Sequence, residues 1–393
     1  MKIKLGDVFE LQMGKTPPRS NLQYWNGTHK WISIGDLGKA GKYINQTKEF
    51  ISDSGVVESG IKLVPKGTVI MSFKLSIGKT AVTAEDMYTN EAIMAFIDKG
   101  ICPMDADYIY HLFSGIDWSE GTNKAVLGAT LNKATLSEKL IVIPDMEEQK
   151  YIAALLDRLD DLISLRKQQL AKLDELVKAR FVEMFGDPST NYKNFMSATL
   201  QELIEKKYII YHLDGNHGSD YPRADEFTDT GVPYIGANCI ENGAINLALA
   251  KHLPIERANR LRKGIAQNGD VLFAHNATVG PVAVLKTEEE RVILSTSLTA
   301  YRCNFAKINP DYLCSYMRSD GFVRQYSLEM KQTTRNQVPI TAQKRYRFVI
   351  PPILVQENFA DFIQQIDNSK LTIHQSLDKL EVLKKALMQE YFG

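Results

Sequence analysis

The chain repeats itself, and no other feature constrains its fold as strongly. Val142-Ile143-Pro144 returns as Val349-Ile350-Pro351, Gln149 as Gln356, Ala153 as Ala360, Leu173 as Leu380 and Phe185-Gly186 as Phe392-Gly393, all at an offset of 207 residues. Ala171-Lys172-Leu173-Asp174 matches Asp378-Lys379-Leu380-Glu381 in the same register. Upstream the match loosens. The stretch from Gly67 to Phe73, with Gly78, aligns with Gly269 to His275 and Gly280 at an offset of 202, and Lys30-Trp31-Ile32 aligns with Pro233-Tyr234-Ile235 at 203. A long period with slight drift means two copies of one structural unit with small loop insertions. The 393 residues therefore read as a domain over 1–146, a helical segment over 147–186, a second domain over 187–353 and a second helical segment over 354–393.

The well-kept segments are helical. Apolar residues fall at Ile152, Leu155, Leu159, Ile163, Leu170, Leu173, Leu176 and Met184, and in the same phase at Phe359, Phe362, Ile366, Ile373, Leu377, Leu380, Leu383, Leu387 and Tyr391. Arg166, Arg180 and Lys370 interrupt the pattern. A near-3.5 period held over more than four heptads is a coiled-coil seam. A helix of that length is a rod of roughly 50 Å at 1.5 Å per residue. Gly186 before Pro188 is a stop signal, because glycine takes the left-handed position and proline forbids continuation. Two matching amphipathic helices most simply pack against each other.

The domains ahead of them are mixed α/β. Val69–Met71, Ala92–Phe96, Val271–Phe273 and Val292–Leu294 read as strands, punctuated by Gly, Asn, Asp and Pro. All three tryptophans lie in the first domain and three of the four cysteines in the second, so the two share a frame and differ in surface. The cysteines form no C-x-x-C pair, which speaks against a zinc ribbon or disulfide scaffold. With no long apolar stretch and no leader-like start, a reducing cytoplasm is the expected location, away from any membrane. The 47 Lys+Arg balance 47 Asp+Glu, which excludes a polybasic protein and leaves room for local basic patches. One such patch runs from Lys331 to Arg347 and holds no acid.

Several motifs imitate catalytic sites. Gly-Lys-Thr occurs at 14–16 and 78–80, but a phosphate-binding loop needs a glycine five residues earlier, where Phe9 and Phe73 stand. Asp145, Glu148 and Lys150 resemble a nuclease set. Their spacing is wrong, and their counterparts Pro352, Val355 and Glu357 could not bind the same metal, so Glu147 and Glu148 are better read as a first helical turn favoured by its dipole. His212-x-Asp214-x-x-His217 could begin a zinc site. The glycines at 215 and 218 argue for a loop presenting polar groups instead, and no metal or cofactor is assigned to this chain. There is no Asn/Asp-Pro-Pro-aromatic methyltransferase motif and no G-x-G-x-x-G after a strand. A nuclease or NTPase is disfavoured on these grounds. A coiled-coil scaffold without DNA binding remains the other reading, and it gives the Lys331–Arg347 patch no use.

The whole chain resembles the specificity subunits of type I restriction–modification systems. The residues that carry the likeness are Lys4-Leu5-Gly6-Asp7-Val8-Phe9, Gly14-Lys15-Thr16-Pro17, Tyr24-Trp25, Trp31 to Leu37, and Ile143-Pro144 with Gln149. In the second half they are Arg335-Asn336-Gln337 and Ile350-Pro351-Pro352 with Gln356. The resemblance implies tandem α+β target recognition domains joined by two long helices that form an antiparallel coiled coil with pseudo-two-fold symmetry. It implies a non-catalytic subunit reading a bipartite target in double-stranded DNA. Its implied partners are two methyltransferase subunits that bring S-adenosylmethionine and restriction subunits that use ATP and Mg.

Phosphate contacts should come from Lys and Arg and base contacts from polar loop residues. The expected DNA-binding residues in the first domain are Lys15, Thr16, Arg19, Lys74, Ser76, Lys79, Asn123, Lys124, Asn132 and Lys133. In the second they are Asn216, His217, Arg223, His275, Asn276, Thr278, Lys331, Gln332, Thr334, Arg335, Asn336 and Gln337. Asn336 and Gln337 are the expected adenine readers and Arg335 the guanine reader.

Overall fold

A computed structural model describes residues 2–74, 76–118, 131–241, 243–330 and 336–393. The two long helices run Met146–Phe185 (α2) and Ile353–Phe392 (α4), each 40 residues and separated throughout by the repeat offset. Both helices start on the same device. Gln149 and Gln356 are fully buried one turn into their helices. The Gln149 side chain accepts from the Asp105 amide at 2.8 Å and donates to the carbonyls of Pro103 and Pro144. Gln356 accepts from the Asn309 amide at 2.9 Å and donates to Lys307 and Pro351. Asp145 caps the first helix by accepting from the Glu148 amide, and Glu147 and Glu148 occupy its first turn. Gly186 ends it at φ +79°.

The chain closes into two compact units that do not follow the linear order of segments. One comprises Met1–Lys167 with His374–Gly393, the other Gln168–Ile373. Each unit takes one half of each long helix, because each α/β domain covers its own stretch of a helix pair. The pair is antiparallel within each unit. In the first, Asp160 meets Lys384 and Lys167 meets Glu381; in the second, Asp174 meets Lys370 and Arg180 lies over Phe362.

The seam departs from the heptad expectation at one pair of positions. Leu176 and its repeat counterpart Leu383 are both 47% exposed, while Val177 and Lys384 turn inward. A straight helix drifts about 20° per heptad from a strict 3.5 repeat, so the buried stripe moves by one residue along it.

In the first unit a five-stranded sheet has the order β1-β5-β3-β4-β2, with β1 Phe9–Met13, β2 Tyr43–Ile44, β3 Val69–Ser72, β4 Thr80–Thr83 and β5 Ile93–Asp98. In the second unit the order is β6-β9-β7-β8, with β6 Ile209–Asp214, β7 Val271–Asn276, β8 Thr278–Val284 and β9 Leu298–Cys303. Leu11 on β1 faces Phe96, which faces Val69; His212 on β6 faces Tyr301, which faces Val271. The repeat therefore holds over four strands, and β2 is an addition to the first unit's sheet. His212 and Asp214 lie in β6 and not in a loop, because the strand pairs with β9 up to Asp214. A smaller sheet accompanies each large one and contains a parallel pair in both units: Trp31 opposite Tyr88, and Tyr234 opposite Ile293.

Each core spans the large sheet and the helices. In the first unit Phe96, Phe113, Leu136 and Leu156 pack with Leu387, Tyr391 and Phe392. In the second, Phe181, Phe185, Tyr312 and Phe359 form an aromatic cluster with ring centroids 4.7–5.9 Å apart. Among the described residues no helix is long and apolar enough to cross a membrane.

Candidate nucleic-acid interface

Three chain segments far apart in sequence meet at one end of the large sheet, and they do so in both units. The first follows β1. A Cβ on Gly14 would sit 2.2 Å from the carbonyl oxygens of Thr89 and Asn90, so only glycine lets the chain pass there. Gly215, after β6, is pressed as closely onto Leu294 and Ser295. The second segment is the tip beyond β3 or β7, and the third precedes the last short helix, α1 (Lys133–Glu138) or α3 (Ile340–Gln343). The Leu131 amide donates to the Phe73 carbonyl at 3.2 Å, and the Val338 amide to the His275 carbonyl at 2.8 Å. Those two bonds connect repeat-equivalent residues.

The second unit's tip is tightly clamped. Ala277 adopts φ +63°, a strained conformation for a residue with a Cβ. Its amide donates to the Asn336 carbonyl at 3.1 Å, and its carbonyl accepts from the Asn336 side-chain amide at 2.9 Å. The Asn336 amide group is thus engaged with the tip. Asn276 bridges Gln337, Thr278 is exposed and Gln337 is partly exposed.

Several expected readers face inward or are held by the protein. Asn216 is buried and donates to the Lys263 carbonyl at 2.7 Å. His275 is buried, and its Nδ1 donates to the Val338 carbonyl at 3.0 Å. Both therefore shape loops from beneath the surface. His217 is exposed and paired with Asp214 at 2.7 Å, whereas His212 contacts Gln343 at 3.1 Å. The imidazoles of the supposed zinc motif thus have separate partners, and no group of three or more potential metal ligands occurs among the described residues. Arg223 is exposed beside Glu226, whose carboxylate accepts from the Arg223 amide.

In the first unit Lys15 donates to the Ser59 carbonyl and Thr16 to Glu91. Arg19 pairs with Glu49 and stacks on Trp25. Lys74 reaches over the Phe73 ring, and Ser76 and Lys79 are exposed on the tip. Asn132 caps α1 by accepting from the Thr135 amide at 2.9 Å, with Lys133 beginning the helix. Asn123, Lys124, Lys331, Gln332, Thr334 and Arg335 lie outside the described residues.

Sequence reasoning passed over Arg260, Arg262 and Lys263, which are exposed beside the loop that Asn216 anchors. Their close spacing was the available signal. It also passed over the acids Glu49 and Glu91, which organise the first unit's donors.

Burial sets the protonation of the second unit's imidazoles. Desolvation pushes His212 down to about 4 and lowers His275 as well. Because Gln343 Oε1 and the Val338 carbonyl only accept, the protons sit on His212 Nε2 and His275 Nδ1. Among the described residues His212 Nδ1 has no hydrogen-bond partner.

This chain, with its repeated fold and paired helices, matches a known family. It belongs to the type I restriction modification DNA specificity domain family, matched over residues 1–175 and 191–384. The family consists of non-catalytic specificity components. The chain is 24% identical to the MjaIX specificity subunit and 22% identical to the MjaVIII specificity subunit of Methanocaldococcus jannaschii, each alignment covering 98% of this chain and 90% of the relative. Its fold is similar to a solved chain of a type I restriction–modification system, with TM-score 0.61, 16% identity and coverage of 100% of this chain and 97% of that one. It is also similar to the type I S subunit of M. genitalium, with TM-score 0.58, 13% identity and coverage of 100% and 96%.

Proposed function

We propose that this chain reads a bipartite sequence in double-stranded DNA, one half with each unit, and holds methyltransferase and restriction subunits on that DNA in the cytoplasm. The observation that carries this reading is the convergence, twice over, of three separate segments at one end of a sheet. Those segments bear Lys15, Thr16, Lys74 and Lys79 in the first unit and His217, Asn276, Thr278 and Gln337 in the second. Exposed lysines and arginines suit phosphates, and short polar side chains on clamped loops suit base edges. Arg260, Arg262 and Lys263 extend the second unit's basic surface. S-adenosylmethionine would belong to the methyltransferase partner, and ATP and Mg to the restriction partner.

The test is a domain exchange. The chain alone neither methylates nor cuts DNA, and with its methyltransferase partner it directs methylation to a split sequence. Replacing residues 187–350 with the equivalent segment of a relative changes one half of that sequence. A change in both halves, or in neither, overturns the assignment.

A further inference from the structure

Arg19 is held unlike any other candidate. It follows Gly14 in a segment that two indoles of the first unit pin from below. Trp31 Nε1 donates to the Lys15 carbonyl at 3.0 Å, and Trp25 Nε1 reaches the Pro18 carbonyl at 3.4 Å. The indoles meet edge to face at 5.1 Å. The Arg19 guanidinium lies 3.9 Å above the Trp25 ring, and its NH1 and NH2 both bond the Glu49 carboxylate, NH2 at 3.0 Å. Yet the side chain is 54% exposed. Glu91, which takes the Thr16 hydroxyl, adds to the field on Arg19 and so ties it to the sheet end described above.

This arrangement suits one kind of contact. A phosphate-binding arginine needs free charge, and Glu49 already neutralises Arg19. A base-reading arginine needs a fixed plane, because its long side chain otherwise loses rotamer freedom on binding. Glu49 and Trp25 supply that plane before any ligand arrives, and among the described residues none bonds the Nε side of the fork. At the corresponding distance after Gly215 stands Asp220, so the device belongs to the first unit alone.

We propose that Arg19 is a specificity-determining residue that pairs through its free donor edge with O6 and N7 of one guanine in the first half-site. Glu49 and Trp25 are its positioning residues. The inference rests on the DNA-reading function above.

The experiment selects bound and methylated sequences from a randomised double-stranded DNA library, using the complete methyltransferase complex. R19K keeps the charge and loses the fork. It is expected to lose about 5- to 150-fold preference for guanine at one position of one half-site, with the other half-site and the melting temperature unchanged. E49Q is expected to weaken the same position. An unaltered R19K profile, or a loss spread evenly over all sequences, overturns the inference and assigns Arg19 to structure or to phosphate. If R19A fails to fold, R19K still decides. A wild-type complex with no sequence preference would instead overturn the underlying function.

Discussion

The same face of the same sheet is apolar in one unit and polar in the other. Leu11, Phe73, Phe96 and Leu136 fill it in the first; His212, His275, Tyr301 and Gln343 occupy the equivalent places in the second. Gln343 is the hub. Its Oε1 accepts from the Tyr301 hydroxyl at 2.5 Å and from His212, and its Nε2 donates to Thr299 at 3.2 Å. Opposite Leu11 and its neighbours no such bond is needed. The fold thus tolerates either chemistry: Tyr301 and His212 both bond Gln343, and His275 bonds the Val338 carbonyl. Buried pattern and backbone pairing specify the architecture, and polarity can vary within it.

The sharpest way to break this comparison is to move one member alone. Gln343→Leu installs the residue type of the first unit and strands the Tyr301 hydroxyl and the His212 Nε2–H. At about 1–3 kcal/mol for each buried orphan, it should destabilise the second unit by about 3 kcal/mol or more in urea denaturation. A loss under about 1 kcal/mol would show that the polar face is not coupled. The shared part of the frame gives the next effect. Gln149→Leu and Gln356→Leu each remove three bonds at the start of a long helix, and both should cost about 2–3 kcal/mol. Clearly unequal losses would break the equivalence of the two helix starts.

A third effect depends on pH. The His212 pKa is about 4 in the fold against an ordinary imidazole value of about 6.5. The unfolded chain therefore gains a proton that the folded chain refuses. Stability from neutral His212 is complete above about pH 6.5 and declines as pH falls towards 4. His212→Leu, the residue at the first unit's equivalent position, should flatten that slope in thermal unfolding at pH 5 and 7.5; His275, lowered in the same direction, leaves a remainder. An unchanged slope would remove His212 from the account. The smallest effect belongs to the helix pair. Lys370→Ala and Lys384→Ala each break one partly exposed ion pair and should cost no more than about 1 kcal/mol, readable as small shifts in the urea midpoint.

The helices and the four strands named from sequence were legible from local periodicity and the internal copy, whereas the meeting of three segments was not. The Phe73–Leu131 and His275–Val338 bonds, which only the structure shows, join residues that stand at the drifted repeat offsets. What sequence could not show was the direction of individual side chains. Asn216 reads as a loop donor until Lys263, 47 residues away, supplies its partner. Asn336 looks free until the left-handed Ala277 claims it. Leu176 fits the heptad and faces solvent, because drift accumulates along a rod and no single heptad records it.

The chain's path bears on how the protein is made. The second unit, Gln168–Ile373, is continuous, whereas the first needs His374–Gly393 to complete a core begun by its opening strands. During synthesis the first unit's strands leave the ribosome well before the helical stretch that completes their core. Leu112, Phe113 and Leu156 keep an open flank until Leu387, Tyr391 and Phe392 arrive, so the half translated first is the half finished last. A nascent chain stopped near residue 373 would carry one closed unit and one with an apolar wound, which makes the first unit the natural client of any chaperone acting on this protein.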